Sequence, residues 1–138
     1  MKILIMGLPG SGKTTLAKHL VDLLGCIWFN ADDIREKYND WDFSPEGRVR
    51  QAKRMYKLSS YIGGTVVCDF VAPTEEIRDI YNADLTIWVD TIEKSRYEDT
   101  DTIFEKPKKY DIRVTEKDAE KWSKLIINYI EEMQNECP

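Results

Sequence analysis

The chain opens on the pattern that most restricts its fold. An apolar run, Lys2-Ile3-Leu4-Ile5-Met6, leads straight into Gly7-Leu8-Pro9-Gly10-Ser11-Gly12-Lys13-Thr14-Thr15. Leu16, Leu20, Leu23 and Leu24 follow at helical spacing. Strand, G-x-x-x-x-G-K-T and helix in that order make a loop whose glycines let successive backbone N–H groups point inward at phosphates. Lys13 adds a full positive charge near the β- and γ-phosphates. The helix that starts there aims its positive end at the same spot. The Thr14 hydroxyl suits a Mg²⁺ ligand, because that ion prefers hard oxygen donors.

The remainder of the chain bounds the answer. Its 138 residues allow one domain with a single core, over residues 1–138. A hydrophobic content of 42% against 33% charged residues places it among globular rather than disordered chains. The net charge of −5 argues against broad electrostatic binding to nucleic acid or to an anionic membrane, though not against a local basic pocket. Cys26, Cys68 and Cys137 are scattered without C-x-x-C spacing. Neither a zinc site nor a disulfide framework is expected, and a reducing compartment fits. There is no signal-peptide pattern and no apolar run long enough to span a bilayer, so the cytoplasm is the expected location.

Strand and helix patterns alternate from end to end. Cys26 to Phe29, Thr65 to Phe70, Leu85 to Val89 and Tyr110 to Val114 read as strands. Asn30 reads as an N-cap for a helix over Ala31 to Tyr38, and Thr74 as another. Further helices are expected over Glu46 to Ile62 and Ile92 to Tyr97, with Glu98 to Lys109 a loop. A last helix begins at a capping-box-like Thr115-x-x-Asp118. The fold class is α/β: a three-layer α/β/α arrangement of the P-loop NTPase type, with a five-stranded parallel sheet. Ligands in such sheets sit at the carboxyl ends of the strands, which directs attention to the residues just after each one.

Asp32 and Arg35 stand three apart beyond the second strand and share a helix face. The carboxylate could take a proton from an incoming hydroxyl, and the guanidinium could grip an anionic group beside it. On the next helix, Arg50, Lys53, Arg54 and Lys57 form a basic side that reads as solvated. Arg48 falls with Ala52, Met55, Tyr56 and Ser59, where it needs a partner: a bound anion or a buried aspartate. Gln51, at the edge of that face, could hydrogen-bond a base or sugar. Asp69 ends the third strand, either as part of a magnesium shell or as a strand-end polar residue. Phe43 and Phe70 flank the expected cleft and could stack on a purine or belong to the core. His19, the only histidine, lies off the leucine stripe and is expected to be exposed, which leaves a carboxylate as the favoured base.

These segments, taken in order, resemble those of adenylyl-sulfate kinases. Gly7 to Thr15 is similar to that family's phosphate loop, and Asn30-Ala31-Asp32-Asp33-Ile34-Arg35 to its D-G-D-N-V-R. Phe43-Ser44 with Arg48 resembles F-S-x-x-D-R. Phe70-Val71-Ala72-Pro73 resembles F-I-S-P, Val89-Asp90-Thr91 resembles V-D-T, and Phe104-Glu105-Lys106-Pro107 resembles Y-E-x-P. The resemblance implies ATP and Mg²⁺ as cofactors, a small-molecule acceptor and a homodimer. It implies Asp32 as base at the 3′-hydroxyl of adenylyl sulfate and Lys13 on the phosphates. Arg35 and Arg48 would bind the acceptor's sulfate and phosphate, Phe43 and Phe70 would sandwich its adenine, and the backbone at Val71 would help hold it.

Several positions depart from the family. Gly47 and Gln51 replace its Asp and Asn, and Ala72 replaces a serine that some members carry. Ser95 to Ile103 is shorter and more acidic than the family's lid, with only Arg96 left to cover ATP, unless Lys106, Lys108 and Lys109 do so. Two rival functions stand beside the kinase of adenylyl sulfate. One is a nucleoside, nucleotide or polynucleotide 5′-hydroxyl kinase, since Asn30 to Arg35 also fits N-x-D-D-x-R. The other is a catalytically weak nucleotide-binding protein.

Overall fold

A computed structural model describes residues 1–136, and Cys137 lies outside them. Five parallel strands form one sheet in the order β2-β3-β1-β4-β5. They are β1 (Lys2–Met6), β2 (Ile27–Asn30), β3 (Val66–Asp69), β4 (Leu85–Val89) and β5 (Ile112–Val114). Alternation along the strands divides the core in two. Ile3, Ile5, Val67, Leu85 and Ile87 pack with α1 (Lys13–Leu24) and α6 (Ala119–Glu136) through Leu16, Leu20, Ile126 and Ile130. Leu4, Met6, Cys68 and Trp88 face the other way. There they meet Ile34 of α2 (Ala31–Tyr38), Ala52 and Met55 of α3 (Pro45–Ser60) and Ile77 and Tyr81 of α4 (Glu75–Tyr81). This is the expected three-layer α/β/α fold.

The caps explain most helix starts. Asn30 Oδ1 accepts from Asp33 N at 3.1 Å, Ser44 Oγ from Gly47 N at 3.1 Å and Thr74 Oγ1 from Ile77 N at 3.2 Å. The last helix is capped by Asp118, which accepts from Lys121 N at 3.2 Å, and not by Thr115. One expectation fails outright. Ile92 to Tyr97 is not helical, and a short helix, α5 (Glu98–Ile103), lies inside the stretch expected to be a loop. The reason is local. The Asp101 carboxylate accepts from Ser95 N at 3.0 Å and from Ser95 Oγ at 2.6 Å, while Ser95 Oγ accepts from Tyr97 N at 3.0 Å. Those bonds pin Ser95 to Tyr97, and the helix starts only at Glu98. β5 is also shorter than expected, because Tyr110 leaves the strand to set its ring edge-on to Trp88 at 5.4 Å.

Candidate active site

The loop between β1 and α1 has the shape its glycines allow. A Cβ on Gly7 would stand 2.4 Å from the Val89 carbonyl oxygen, so β4 could not approach a larger residue. Gly12 takes φ +103° where it caps α1, a conformation that L side chains rarely adopt. Lys13 follows, almost buried, and donates to the Leu8 carbonyl at 3.0 Å. Burial pushes its ammonium down to about 8, against the raising influence of the Asp69 and Asp32 charges.

Asp69, at the end of β3, is buried and receives three donors. Trp28 Nε1 reaches it at 2.6 Å, Asn30 Nδ2 at 3.1 Å and Thr14 Oγ1 at 3.4 Å. Burial raises its pKa, while these donors and Lys13 oppose the rise. The register of β2 on β3 sets Asn30 beside Asp69, and Trp28, two residues back, projects on the same face. Asn30 thus serves twice, capping α2 with its oxygen and holding Asp69 with its nitrogen. Trp28 was not among the expected site residues, although period-two alternation in the strand points to it.

Asp32, Lys13, Thr14 and Asp69 line one cleft of about 670 Å³. Its floor includes Pro9 and Gly10, and its far wall Trp41, Phe43, Arg48, Phe70, Val71 and α5 with Arg96 and Tyr97 before it. Asp32 is exposed at its mouth. Leu8 turns into the core, and Val71 gives its carbonyl to Gly7 N at 3.4 Å. Ser11, Gly12 and Thr15 face a smaller hollow of about 110 Å³ on the other side of the loop, closed by Glu116, Lys117 and Asp118. Lys106, Lys108 and Lys109 line neither space. His19 is exposed on α1.

Two expected acceptor ligands point elsewhere. Arg35 is 4% exposed and does not line the cleft; its Nη1 donates to the carbonyls of Asp40 at 3.0 Å and Asp42 at 3.2 Å. Gln51 is likewise buried; its Nε2 donates to the Ala31 carbonyl and its Oε1 accepts from Arg54 Nη1. A buried amide must satisfy both ends, and here it does so within the fold. Arg48 does line the cleft. Within the protein its partners are not a buried aspartate but the Phe43 carbonyl at 2.9 Å and Thr100 Oγ1 at 3.3 Å. The basic side of α3 is not fully solvated either, since Arg54 is half-buried against Asp40 at 2.9 Å.

A family model described as AAA domain matches residues 3–132. A probable adenylyl-sulfate kinase of Aeropyrum pernix is 33% identical over 88 residues, which cover 55% of this chain and 46% of that protein. The match thus spans about half the length of that relative. Among solved structures, an APS kinase of Mycobacterium tuberculosis in complex with AMPPNP and APS superimposes with a TM-score of 0.80 at 21% identity, covering 94% of this chain and 96% of the other. A shikimate kinase of Aquifex aeolicus does so at 0.73 and 19% identity, covering 99% of each. At these identities the likeness is one of fold.

Proposed function

This chain belongs to the AAA-domain family, and on that premise we propose that it transfers the γ-phosphoryl group of ATP to an alcohol, the 3′-hydroxyl of adenylyl sulfate. The observation that carries the reading is the meeting of Asp32 and Lys13 in one cleft at the mouth of the phosphate loop. The loop amides and Lys13 hold the triphosphate and neutralise charge on the moving phosphoryl group. Asp32 accepts the proton of the attacking hydroxyl. The smaller hollow beside Gly12 and Lys117 takes the base of the donor.

Mg²⁺ fits the residues present. Thr14 Oγ1 and Asp69 Oδ1 are hard oxygens 3.4 Å apart beside the loop. Among the described residues no group of three or more His, Cys, Asp or Glu could hold a metal by itself. An ion that draws its remaining ligands from phosphate and water suits that arrangement. When bound, it draws charge from the phosphate oxygens; Asp69, in the net of Trp28 and Asn30, keeps Thr14 oriented.

One observation favours a second acceptor. Glu98 and Asp99 line the cleft beside Arg48 and Arg96, which suits a less anionic molecule such as a nucleoside. Incubation with ATP and, in turn, adenylyl sulfate, nucleosides, nucleotides and 5′-hydroxyl oligonucleotides separates the readings. The expected product is the 3′-phosphorylated form of adenylyl sulfate. Labelled oligonucleotide ends would replace that acceptor, and tight binding without any product would leave a nucleotide-binding protein.

A further inference from the structure

Four aromatic rings line the large cleft: Trp41, Phe43, Phe70 and Tyr97. Three have their rings occupied. The Phe43 ring carries the Arg35 guanidinium at 4.2 Å and that of Arg48 at 5.4 Å. Phe70 is 6% exposed and meets Tyr81 edge-on at 5.8 Å, and Arg96 stands 5.5 Å from the Tyr97 centroid. Trp41, 51% exposed, makes no hydrogen bond and no ring contact among the described residues. Phe43 and Phe70, the rings expected to sandwich the acceptor, thus each already meet a partner within the protein.

The chain on both sides of Trp41 is held firmly. Arg50 binds Asp40 at 2.7 Å and Asp42 at 3.0 Å, and Arg54 binds Asp40. From beneath, Arg35 ties down the two flanking carbonyls. Asp42 Oδ1 also accepts from Ser44 N at 2.9 Å. Gly47 lets α3 close on the same loop, because a Cβ there would stand 2.1 Å from the Asp42 carbonyl oxygen. A large aromatic ring in a cleft, unoccupied and carried on a backbone that its neighbours hold, has only its own side-chain rotations left to lose on binding.

We propose that Trp41 is the stacking platform for a flat heteroaromatic ring of the phosphoryl acceptor, a role that deepens the function proposed above and rests on it. Arg48 then meets the acceptor's anionic end, and the fixed 39–44 loop sets the distance between base and reacting hydroxyl. Stacking of this kind tolerates many bases, so Trp41 favours an aromatic acceptor over a sugar or an aliphatic alcohol rather than one base over another.

The test compares the unaltered protein with Trp41→Leu and Trp41→Phe. With adenylyl sulfate as acceptor, Trp41→Leu is expected to raise its KM about five- to a hundredfold, leaving kcat and the KM for ATP within about twofold. Trp41→Phe should recover most of the loss. A separate readout needs no turnover: adenosine titrated into each protein should quench a component of tryptophan fluorescence that Trp41→Phe lacks. An acceptor KM unmoved in Trp41→Leu overturns the platform while leaving the kinase intact. No turnover of adenylyl sulfate, with the Trp41 quench present, discards that acceptor and keeps the platform. Identical quenching in the unaltered and Trp41→Phe proteins removes the platform whatever the activity.

Discussion

Lys13 and Asp69, on the donor side of the cleft, are 9% and 2% exposed, whereas Trp41 and Phe43, on the acceptor side, are 51% and 50% exposed. The donor side is made by strands and the start of α1. Lys13 and Asp69 are buried there, and Asp69 takes donors from Trp28, Asn30 and Thr14. The acceptor side is a loop braced by ion pairs at the surface and a short acidic helix. Burial strengthens electrostatics, so a charge held on the first side acts more strongly than the same charge would in water. The second side is the place where selectivity can change without disturbing the core. The acidic α5 belongs to that side, joined to Arg48 through Thr100.

The contrast can be broken most forcefully at Lys13. Lys13→Ala should lower kcat/KM by about a thousandfold, because one preorganised charge on the phosphoryl group is lost. Asp32→Asn should cost about a hundredfold or more in kcat, with ATP binding retained. Full activity in that variant would end the assignment of the base. Trp28→Phe should destabilise the protein by about 1.5–3 kcal/mol in denaturant titration, since a buried carboxylate loses its shortest donor.

The pH dependence sharpens the comparison further. Lys13 titrates near 8 in the fold and at 10.5 in the unfolded chain. Between those values the unfolded chain holds a proton that the folded one has released, so the unliganded fold gains stability as pH rises from about 8 to 10.5. Nucleotide binding runs the other way, because phosphate wants the ammonium. Affinity for ATP should fall about tenfold per pH unit above 8, measured by calorimetry at pH 7, 8 and 9. Arg50→Ala should show the smallest effect. Its guanidinium is about half exposed, so the unfolding midpoint should barely move and respond even less in high salt, while acceptor KM rises through the loosened 39–44 loop. An unchanged acceptor KM there would show that Asp40 and Asp42 hold the loop without it.

Much of the donor side was legible from residue order alone. The glycine spacing, Leu16 and Leu20 on the buried face of α1 (Leu23, expected beside them, is exposed) and the caps at Asn30 and Thr74 follow local rules. Asp32 was placed in the cleft by the same logic: it is the second residue of a helix that starts at the carboxyl end of β2. The misreadings share one cause. Arg35 and Gln51 sit at helix positions compatible with either the cleft or the fold, and the choice was made by the carbonyls of Asp40 and Asp42 for Arg35 and by that of Ala31, on another helix, for Gln51, all of them invisible to periodicity. α5 was displaced by side-chain bonds between Ser95 and Asp101 that compete with helix hydrogen bonding.

Residue order by itself therefore determined the phosphate-cradling loop, the parallel α/β architecture and the carboxylate facing it, because these depend on spacing within a few residues. Only the tertiary structure decided which aromatic rings stay free, which arginines are spent on loop carbonyls and which donors converge on Asp69. Those outcomes depend on competition among polar groups brought together by the sheet order, and a buried group takes whichever partner the packing brings within about 3 Å.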